Sequence, residues 1–203
     1  QNHDQIGNRA WGDRIATLAD QTALAAAEAL FLLAPHIPMI FMGEEWRSTT
    51  PFLFFCSFNG ELAQAVRDGR RREFGLDDLP DPEASDTFTT SVLEPPGNAH
   101  RYRNLLHLRK SHLQPLLPGM QPGTGRGGGT HALSVRYPSG RSRWCIDVNL
   151  SDQTRSRPPA PVPGTEGRSR TADRFEIVYR STPNRPWSDI MEAWSIDVWS
   201  EVL

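Results

Sequence analysis

Residues 21–45 read QTALAAAEALFLLAPHIPMIFMGEE. The helical pattern starts upstream, at Asp13, and reaches Ala34 with no Pro or Gly in between. Leu18, Ala25, Ala29 and Leu33 fall on one stripe, with Ala26 and Leu32 beside it and Thr22 as its mildly polar member. Ala and Leu are also strong helix formers. Pro35 lacks an amide hydrogen and its ring clashes with the preceding turn, so the helix is expected to end there. After the Pro35-His36-Ile37-Pro38 turn, Pro38-Met39-Ile40-Phe41-Met42 is apolar on both faces until Gly43 and the charges of Glu44 and Glu45 stop it. Such a run suits a parallel strand buried under helices. A long helix, a tight turn and a doubly buried strand make one unit of an α/β fold.

Working outward, residues 47–99 are rich in loop signals. Asn59-Gly60 is a turn dipeptide, residues 61–74 read as a short charged helix, and residues 77–86 are acidic and contain Pro. Residues 100–113 are again helical, closed by Pro115 and Pro118-Gly119. Beyond that point the period changes to two. Residues 131–137, 143–150, 175–181 and 193–203 alternate as half-buried antiparallel strands do. The Gly-rich residues 123–129 lack the Lys-Ser/Thr ending of a phosphate loop and read as a flexible connection. Residues 151–174 hold almost no bulky apolar side chain and read as a mobile insertion. The boundary between an α/β part (1–119) and a small β domain (120–203) is placed near Gly119.

The chain has 203 residues, 37% of them hydrophobic, which is a globular composition. A formal net charge of −2 provides no field that would draw nucleic acid or an anionic membrane. The apolar stretch 23–42 is broken by Glu28 and by the proline turn, so neither half reaches the length of a membrane span. Cys56 and Cys145 form no CxxC or His-paired spacing, and reduced thiols in the cytoplasm are expected. The first residue is Gln1, not Met, and the true N-terminus is expected to lie upstream.

The densest polar constellation is Gln1-Asn2-His3-Asp4-Gln5-Ile6-Gly7-Asn8-Arg9. It precedes a helix, where a strand of an α/β unit should end, and in barrels of alternating strands and helices the carboxyl ends of strands face the active site. A carboxylate beside an imidazole there can engage several sugar hydroxyls at once. The same residues can instead cap a loop and fill a core.

Asn2-His3-Asp4 resembles the motif at the seventh strand of the α-amylase superfamily of glycosidases. The longer string 1–14 is similar to that of the maltooligosyltrehalose trehalohydrolases within it. Two further matches follow in order: residues 38–46 resemble that family's eighth strand and its exit, and Ala65-Val66-Arg67-Asp68-Gly69-Arg70-Arg71-Arg72-Glu73-Phe74 resembles the segment after it. The resemblance implies the C-terminal part of a (β/α)8 TIM barrel, from the end of strand 7 through helix 8, followed by the small antiparallel β domain. It implies hydrolysis of the α-1,4 bond that joins trehalose to a maltooligosaccharide, with no cofactor and no metal. Asp4 would be the third catalytic carboxylate, stabilising the oxocarbenium-like transition state. His3 would donate to a neighbouring hydroxyl. Gln5, Ile6, Gly7, Asn8 and Arg9 would form the adjoining substrate-binding loop, by contact with sugar or by holding the turn. The nucleophile and general acid of the superfamily come from the fourth and fifth strands, which this chain does not contain, so alone it is expected to be inactive.

Where the family carries an Asp-His pair, this chain has Cys56-Ser57-Phe58. Glu44 and Glu45, adjacent at a strand exit, point in opposite directions and read as anchors. Arg70, Arg71 and Arg72 read as a solvated or ion-paired helix face. The rival readings are a fragment of a related enzyme such as a branching enzyme, a non-catalytic sugar-binding module with Trp46, Trp187 and Trp194 as stacking platforms, and a structural remnant that does not fold alone.

Overall fold

The structure, a computed structural model, describes residues 1–128, 131–158, 175–183 and 190–202. Its helices are α1 (His3–Gly7), α2 (Ile15–Leu18), α3 (Gln21–Leu33), α4 (Gly60–Phe74), α5 (Ser85–Thr90) and α6 (His100–Leu108). Its strands are β1 (Thr124–Gly128), β2 (Ala132–Ser139), β3 (Ser142–Asn149), β4 (Arg155–Ser156), β5 (Phe175–Arg180), β6 (Ile190–Met191) and β7 (Ser195–Val202). They fall into two compact units, one of Gln1–Ala19 with Met39–Arg101, the other of Asp20–Pro38 with Tyr102–Leu203.

The first unit contains α1, α2, α4, α5 and a 3-10 turn at Glu44–Trp46. Ile6, Leu53 and Ala63 are buried in it. A run of edge-to-face aromatic pairs extends from Phe41 through Phe52 and Phe55 to Phe88, with ring centroids 5.1, 5.6 and 5.2 Å apart. Helix α4 runs as the sequence implies and stops at Gly75 (φ 64°), whose amide donates to the Arg71 carbonyl at 2.8 Å. The acidic stretch read as loop ends instead in α5.

The expected strand at residues 38–42 is not formed. Residues 37–41 belong to no sheet among the described residues, and Ile37 and Met39 are 93% and 67% exposed. A strand exists only beside a neighbour that takes up its backbone hydrogen bonds, and the described residues provide none. Met39 and Met42 of the run are therefore exposed, while Phe41 packs on Phe52.

In the second unit five antiparallel strands are ordered β1-β2-β3-β7-β5, with β4 and β6 as a separate pair. Trp144, Ile146 and Val148 of β3 register with Ser200, Val198 and Ile196 of β7, and α3 packs on these two strands. Leu24, Ala26, Ala29, Leu32 and Leu33 of α3 are buried with them. The last carbonyls of α3 have no helical partners, so side chains supply them. Trp144 Nε1 donates to the Leu33 carbonyl at 2.9 Å. The Arg109 guanidinium donates to the carbonyls of Leu32 (2.8 Å), Ala34 (2.6 Å) and His36 (2.6 Å).

Three readings need correction here. The single helix expected over 13–34 is two, because Asp20 turns its carboxylate onto the amides of Thr22 (2.8 Å) and Ala23 (3.0 Å) and starts α3 afresh. Helix 100–113 becomes α6 followed by a π turn at Arg109–Leu113, which carries the Arg109 cap. The Gly-rich connection is an edge strand, β1, in register with β2 from Thr124↔Arg136 to Gly128↔Ala132. Glycines have no side chains to alternate, so the two-residue period cannot reveal such a strand.

Strand β3 is buried on both faces, not half-buried. On the face away from α3, Asp147 receives Arg136 (2.7 Å), Arg157 (2.6 Å), the Ser134 hydroxyl and the Trp199 indole (3.3 Å). Arg157 also reaches Asp197 (2.6 Å), and the Arg136 guanidinium lies 4.7 Å over the Trp199 ring. These residues look like a solvent face in sequence because charge pairing, not hydrophobicity, lets them be buried. Residues 159–174 of the expected insertion lie outside the described residues; residues 151–158 include β4 and Arg157 and are tied to the sheet. No helix among the described residues is long and apolar enough to cross a membrane.

Candidate active site

Residues 2–9 form one capped turn of helix. Asn2, in the extended region, accepts the Gln5 amide on its side chain (3.0 Å), and Gln5 reaches back to accept the Asn2 amide (3.0 Å). This reciprocal capping box fixes the start of α1. Ile6 and Gly7 are buried and root the turn, Ile6 with no exposed surface. A helical turn that pins Ile6 inward turns Asp4, two positions back, to the opposite side, and His3 at the first position of the helix is exposed as well. The side chains of His3 and Asp4 are 68% and 66% exposed, and His3 Nε2 lies 3.2 Å from Asp4 Oδ1. Asn8 is exposed, while Arg9 pairs loosely with Asp13 at 3.5 Å. Of the predicted residues, His3, Asp4, Asn8 and Arg9 thus present polar atoms at the surface. Gln5 is engaged in the cap, and Ile6 and Gly7 are packed.

The loop that follows is held by close backbone approach. At Gly12 (φ 61°) a Cβ would lie 2.5 Å from the Phe52 carbonyl oxygen, and the Phe52 amide donates to the Gly12 carbonyl at 3.0 Å. Arg14 is buried, donating to the carbonyls of Thr50 and, at 2.8 Å, of Met42, with its guanidinium 5.6 Å from the Phe41 ring centroid. Desolvation lowers its pKa, partly offset by the charges of Glu44 and Glu45. Those two carboxylates are anchors: Glu44 accepts the Phe41 amide (2.9 Å) and Glu45 the Gly43 amide (3.1 Å).

Two residues have surroundings that the sequence does not reveal. Of the two readings of the arginine run, Arg70 fits the ion-paired one, reaching Glu73 at 3.3 Å, but it is not solvated. Its guanidinium lies 4.7 Å from the centroids of both Phe54 and Phe74 and donates towards the carbonyls of Gly7, Asn8 and Arg9. The i,i+4 spacing of Arg70 and Phe74 is the signal that could have found it. Cys56 donates its thiol to Glu83 (3.0 Å), which also accepts the Phe58 amide (2.9 Å). Burial, then the Glu83 hydrogen bond and charge, push the thiol up to about 11. Trp46 packs on Gly97, where a Cβ would come within 3.0 Å of its ring, and is half-buried. Trp187 lies outside the described residues. Among the described residues no group of three His, Cys, Asp or Glu side chains could hold a metal ion.

No family-level sequence model matches the chain. It is 39% identical over 182 residues to the malto-oligosyltrehalose trehalohydrolase of Deinococcus radiodurans, an alignment covering 81% of this chain and 30% of that protein. With the enzyme of the same name from Saccharolobus solfataricus it shares 44% identity over 116 residues, 55% of this chain and 20% of that protein. Among solved structures, a Salmonella typhimurium protein assigned to the alpha amylases superposes with TM-score 0.82 at 33% identity, covering 99% of this chain and 34% of that one. The chain belongs to the α-amylase superfamily of glycoside hydrolases. It spans 30% or less of the length of these curated relatives, and the match lies in their C-terminal portion. The alpha-amylase of H. orenii shares the fold over 99% of this chain, with TM-score 0.53 at 16% identity. In this superfamily's terms the architecture is the C-terminal part of a TIM barrel followed by a small antiparallel β domain.

Proposed function

We propose that this chain supplies the C-terminal wall of the active site in an enzyme that cleaves the α-1,4-glucosidic bond next to the trehalose end of a maltooligosyltrehalose, releasing trehalose. Residues 1–119 are the last part of the catalytic barrel and residues 120–203 its β domain. The nucleophile and general acid come from barrel strands that this chain does not span. The observation that carries the reading is the outward pair His3–Asp4, 3.2 Å apart on a rigidly capped turn, in a chain 39–46% identical to proteins named malto-oligosyltrehalose trehalohydrolase. Asp4 hydrogen-bonds ring hydroxyls of the distorted sugar, and these bonds strengthen as positive charge develops at the anomeric carbon. His3 donates to an adjacent hydroxyl. Asn8 and Arg9 extend the sugar-facing rim, while Gln5, Ile6 and Gly7 hold it in place. The apolar run at residues 38–42, with Met39 and Met42 exposed, supports the same reading, since it has the composition of a barrel strand. Its place of action is the cytoplasm, with both cysteines reduced.

The test is a hybrid enzyme in which residues 1–203 replace the matching C-terminal part of a full-length relative. Asp4→Asn keeps size and hydrogen-bonding capacity but removes the charge facing the cationic transition state. It should lower kcat on maltotriosyltrehalose by a factor on the order of 10²–10³, with KM little changed. His3→Ala should do less, by roughly the 0.5–1.5 kcal/mol of one hydrogen bond. The 203-residue chain alone should release no trehalose. Near-normal kcat in the Asp4→Asn hybrid would sink the assignment.

A further inference from the structure

A five-residue helix cannot hold itself. Fixing a first helical turn costs more than its hydrogen bonds return, so its stability comes from tertiary contacts. The start of α1 has its capping box within the turn itself. Its end is closed by the Asn8 and Arg9 amides on the carbonyls of Asp4 (3.3 Å) and Ile6 (3.0 Å), and the carbonyls that follow are met by a side chain 63 positions away in sequence. Arg70, on α4, directs Nη2 to the carbonyls of Gly7 (3.5 Å) and Arg9 (3.2 Å) and Nη1 to that of Asn8 (3.5 Å). The guanidinium is in turn fixed from three sides. The rings of Phe54 and Phe74 lie 4.7 Å away, and Glu73 Oε2 is at 3.3 Å. Its side chain is 11% exposed.

We infer that Arg70 is the positioning residue for the sugar-facing turn: it sets where His3 and Asp4 stand without touching the substrate. The inference rests on the proposed role of that turn. A planar fork with donors on two nitrogens can serve three successive carbonyls while its face stacks on aromatic rings; a lysine ammonium offers neither the plane nor the fork. With the fork removed, the carbonyls of Gly7 and Asn8 must find water, that of Arg9 keeps only the Gly12 amide at 3.4 Å, and the turn is free to unwind from its C-terminal end. Asp4, whose carbonyl accepts the Asn8 amide at 3.3 Å, moves with it.

Hydrogen exchange of backbone amides in the 203-residue chain reads the turn directly. In Arg70→Leu and in Arg70→Lys, the amides of Ile6, Asn8 and Arg9 should exchange faster by about ten-fold or more. Those of Cys56 and Gly75, in the same unit, should keep their rates. In the hybrid enzyme the same variants should lose kcat by about ten- to a hundred-fold with KM changed less, as expected when a reacting group is displaced rather than removed. Arg70→Lys retains the charge and the apolar stem, so its failure to rescue would assign the effect to geometry. Unchanged exchange at Ile6, Asn8 and Arg9 would overturn the inference. So would a uniform rise that includes Cys56 and Gly75 in both variants, or faster exchange with kcat untouched. The two readings fail separately: normal turnover in Asp4→Asn removes the site assignment, whereas normal turnover in Arg70→Leu beside a crippled Asp4→Asn removes only the role of Arg70.

Discussion

The indole Nε1 of Trp144 donates a 2.9 Å hydrogen bond to the carbonyl of Leu33, the last residue of α3. Both residues are fully buried, so this bond ties the helix terminus to the middle of the sheet where water cannot substitute for it. Trp144→Phe keeps an aromatic ring but strands the Leu33 carbonyl. It should destabilise the second unit by about 1–3 kcal/mol. Urea unfolding monitored by circular dichroism checks this, with the midpoint lowered and the slope unchanged.

Asp147 gives the pH dependence a definite sign. Burial alone would raise its pKa, but the Arg136 charge and hydrogen bond outweigh that, with Arg157 and Ser134 acting the same way, and hold the carboxyl below the ordinary aspartate range. A depressed folded-state pKa means that its stabilisation is fully present above the unfolded value of about 3.9 and is lost as pH falls through the folded value. Unfolding free energy should therefore drop steeply on acidification below about pH 4. Asp147→Asn should flatten that limb and cost about 3–5 kcal/mol at neutral pH, because Arg136 would be left buried without its carboxylate. Chemical denaturation of both proteins across a pH series tests each part.

Much of the second unit was legible in its sequence. Alternation located β2, β3, β5 and β7 to within one or two residues, since apolar side chains at every second position mark one face. The other face of β3 was not legible. Asp147 and Asn149 carry the composition of a solvated surface; the arrival of Arg136 and Arg157 explains the burial of the first, and the carbonyls of Gln153 and Glu192 with the Ser151 amide and hydroxyl explain that of the second. Strand β1 was invisible for a related reason: its pairing is made by backbone alone.

At the candidate site the residue types were readable and their division of labour was not. His3 and Asp4 stand out as polar residues on an exposed turn. Gln5 looks equally available in sequence, but its partner Asn2 lies three positions back and the capping box takes it. Arg70 was hidden because the run of three arginines invites a common explanation. Arg70 does pair with Glu73 as that explanation has it, but it is also on the helix face turned towards Phe54.

Both cysteines should be sluggish nucleophiles. Burial pushes the Cys145 thiol up to about 12, and burial with Glu83 pushes Cys56 up to about 11. Thiolate is the reactive form, so at pH 8 native Cys56 should react with a disulfide reagent at least about a hundred-fold more slowly than an unfolded control. Its rate should climb with pH well beyond the plateau near pH 9 of an ordinary thiol. Glu83→Gln should speed Cys56 and leave Cys145 as it was.

Gly12→Ala should be among the most damaging single-methyl additions to the first unit. The new Cβ would sit 2.5 Å from the Phe52 carbonyl oxygen on a backbone at φ 61°. The loop must then move away from residue 52, breaking the 3.0 Å bond between the Phe52 amide and the Gly12 carbonyl. A loss of about 2 kcal/mol or more is expected. Gly69→Ala, where a Cβ meets nothing, is the matched control and should be neutral or slightly stabilising, because alanine favours helix. Melting temperatures of the two variants decide it.

The run at residues 37–42 also carries its own chemical reporter. Met39 and Met42 are both exposed, and a thioether in water is open to peroxide, which turns a flexible apolar side chain into a polar sulfoxide. Oxidation would thus place two dipolar oxygens on a segment whose composition is that of a barrel interior. Any surface that later covers the segment would shield both sulfurs, and a segment already oxidised would resist being covered. Peroxide footprinting read by mass spectrometry therefore gives the occupancy of this face, methionine by methionine, without a label or a substitution.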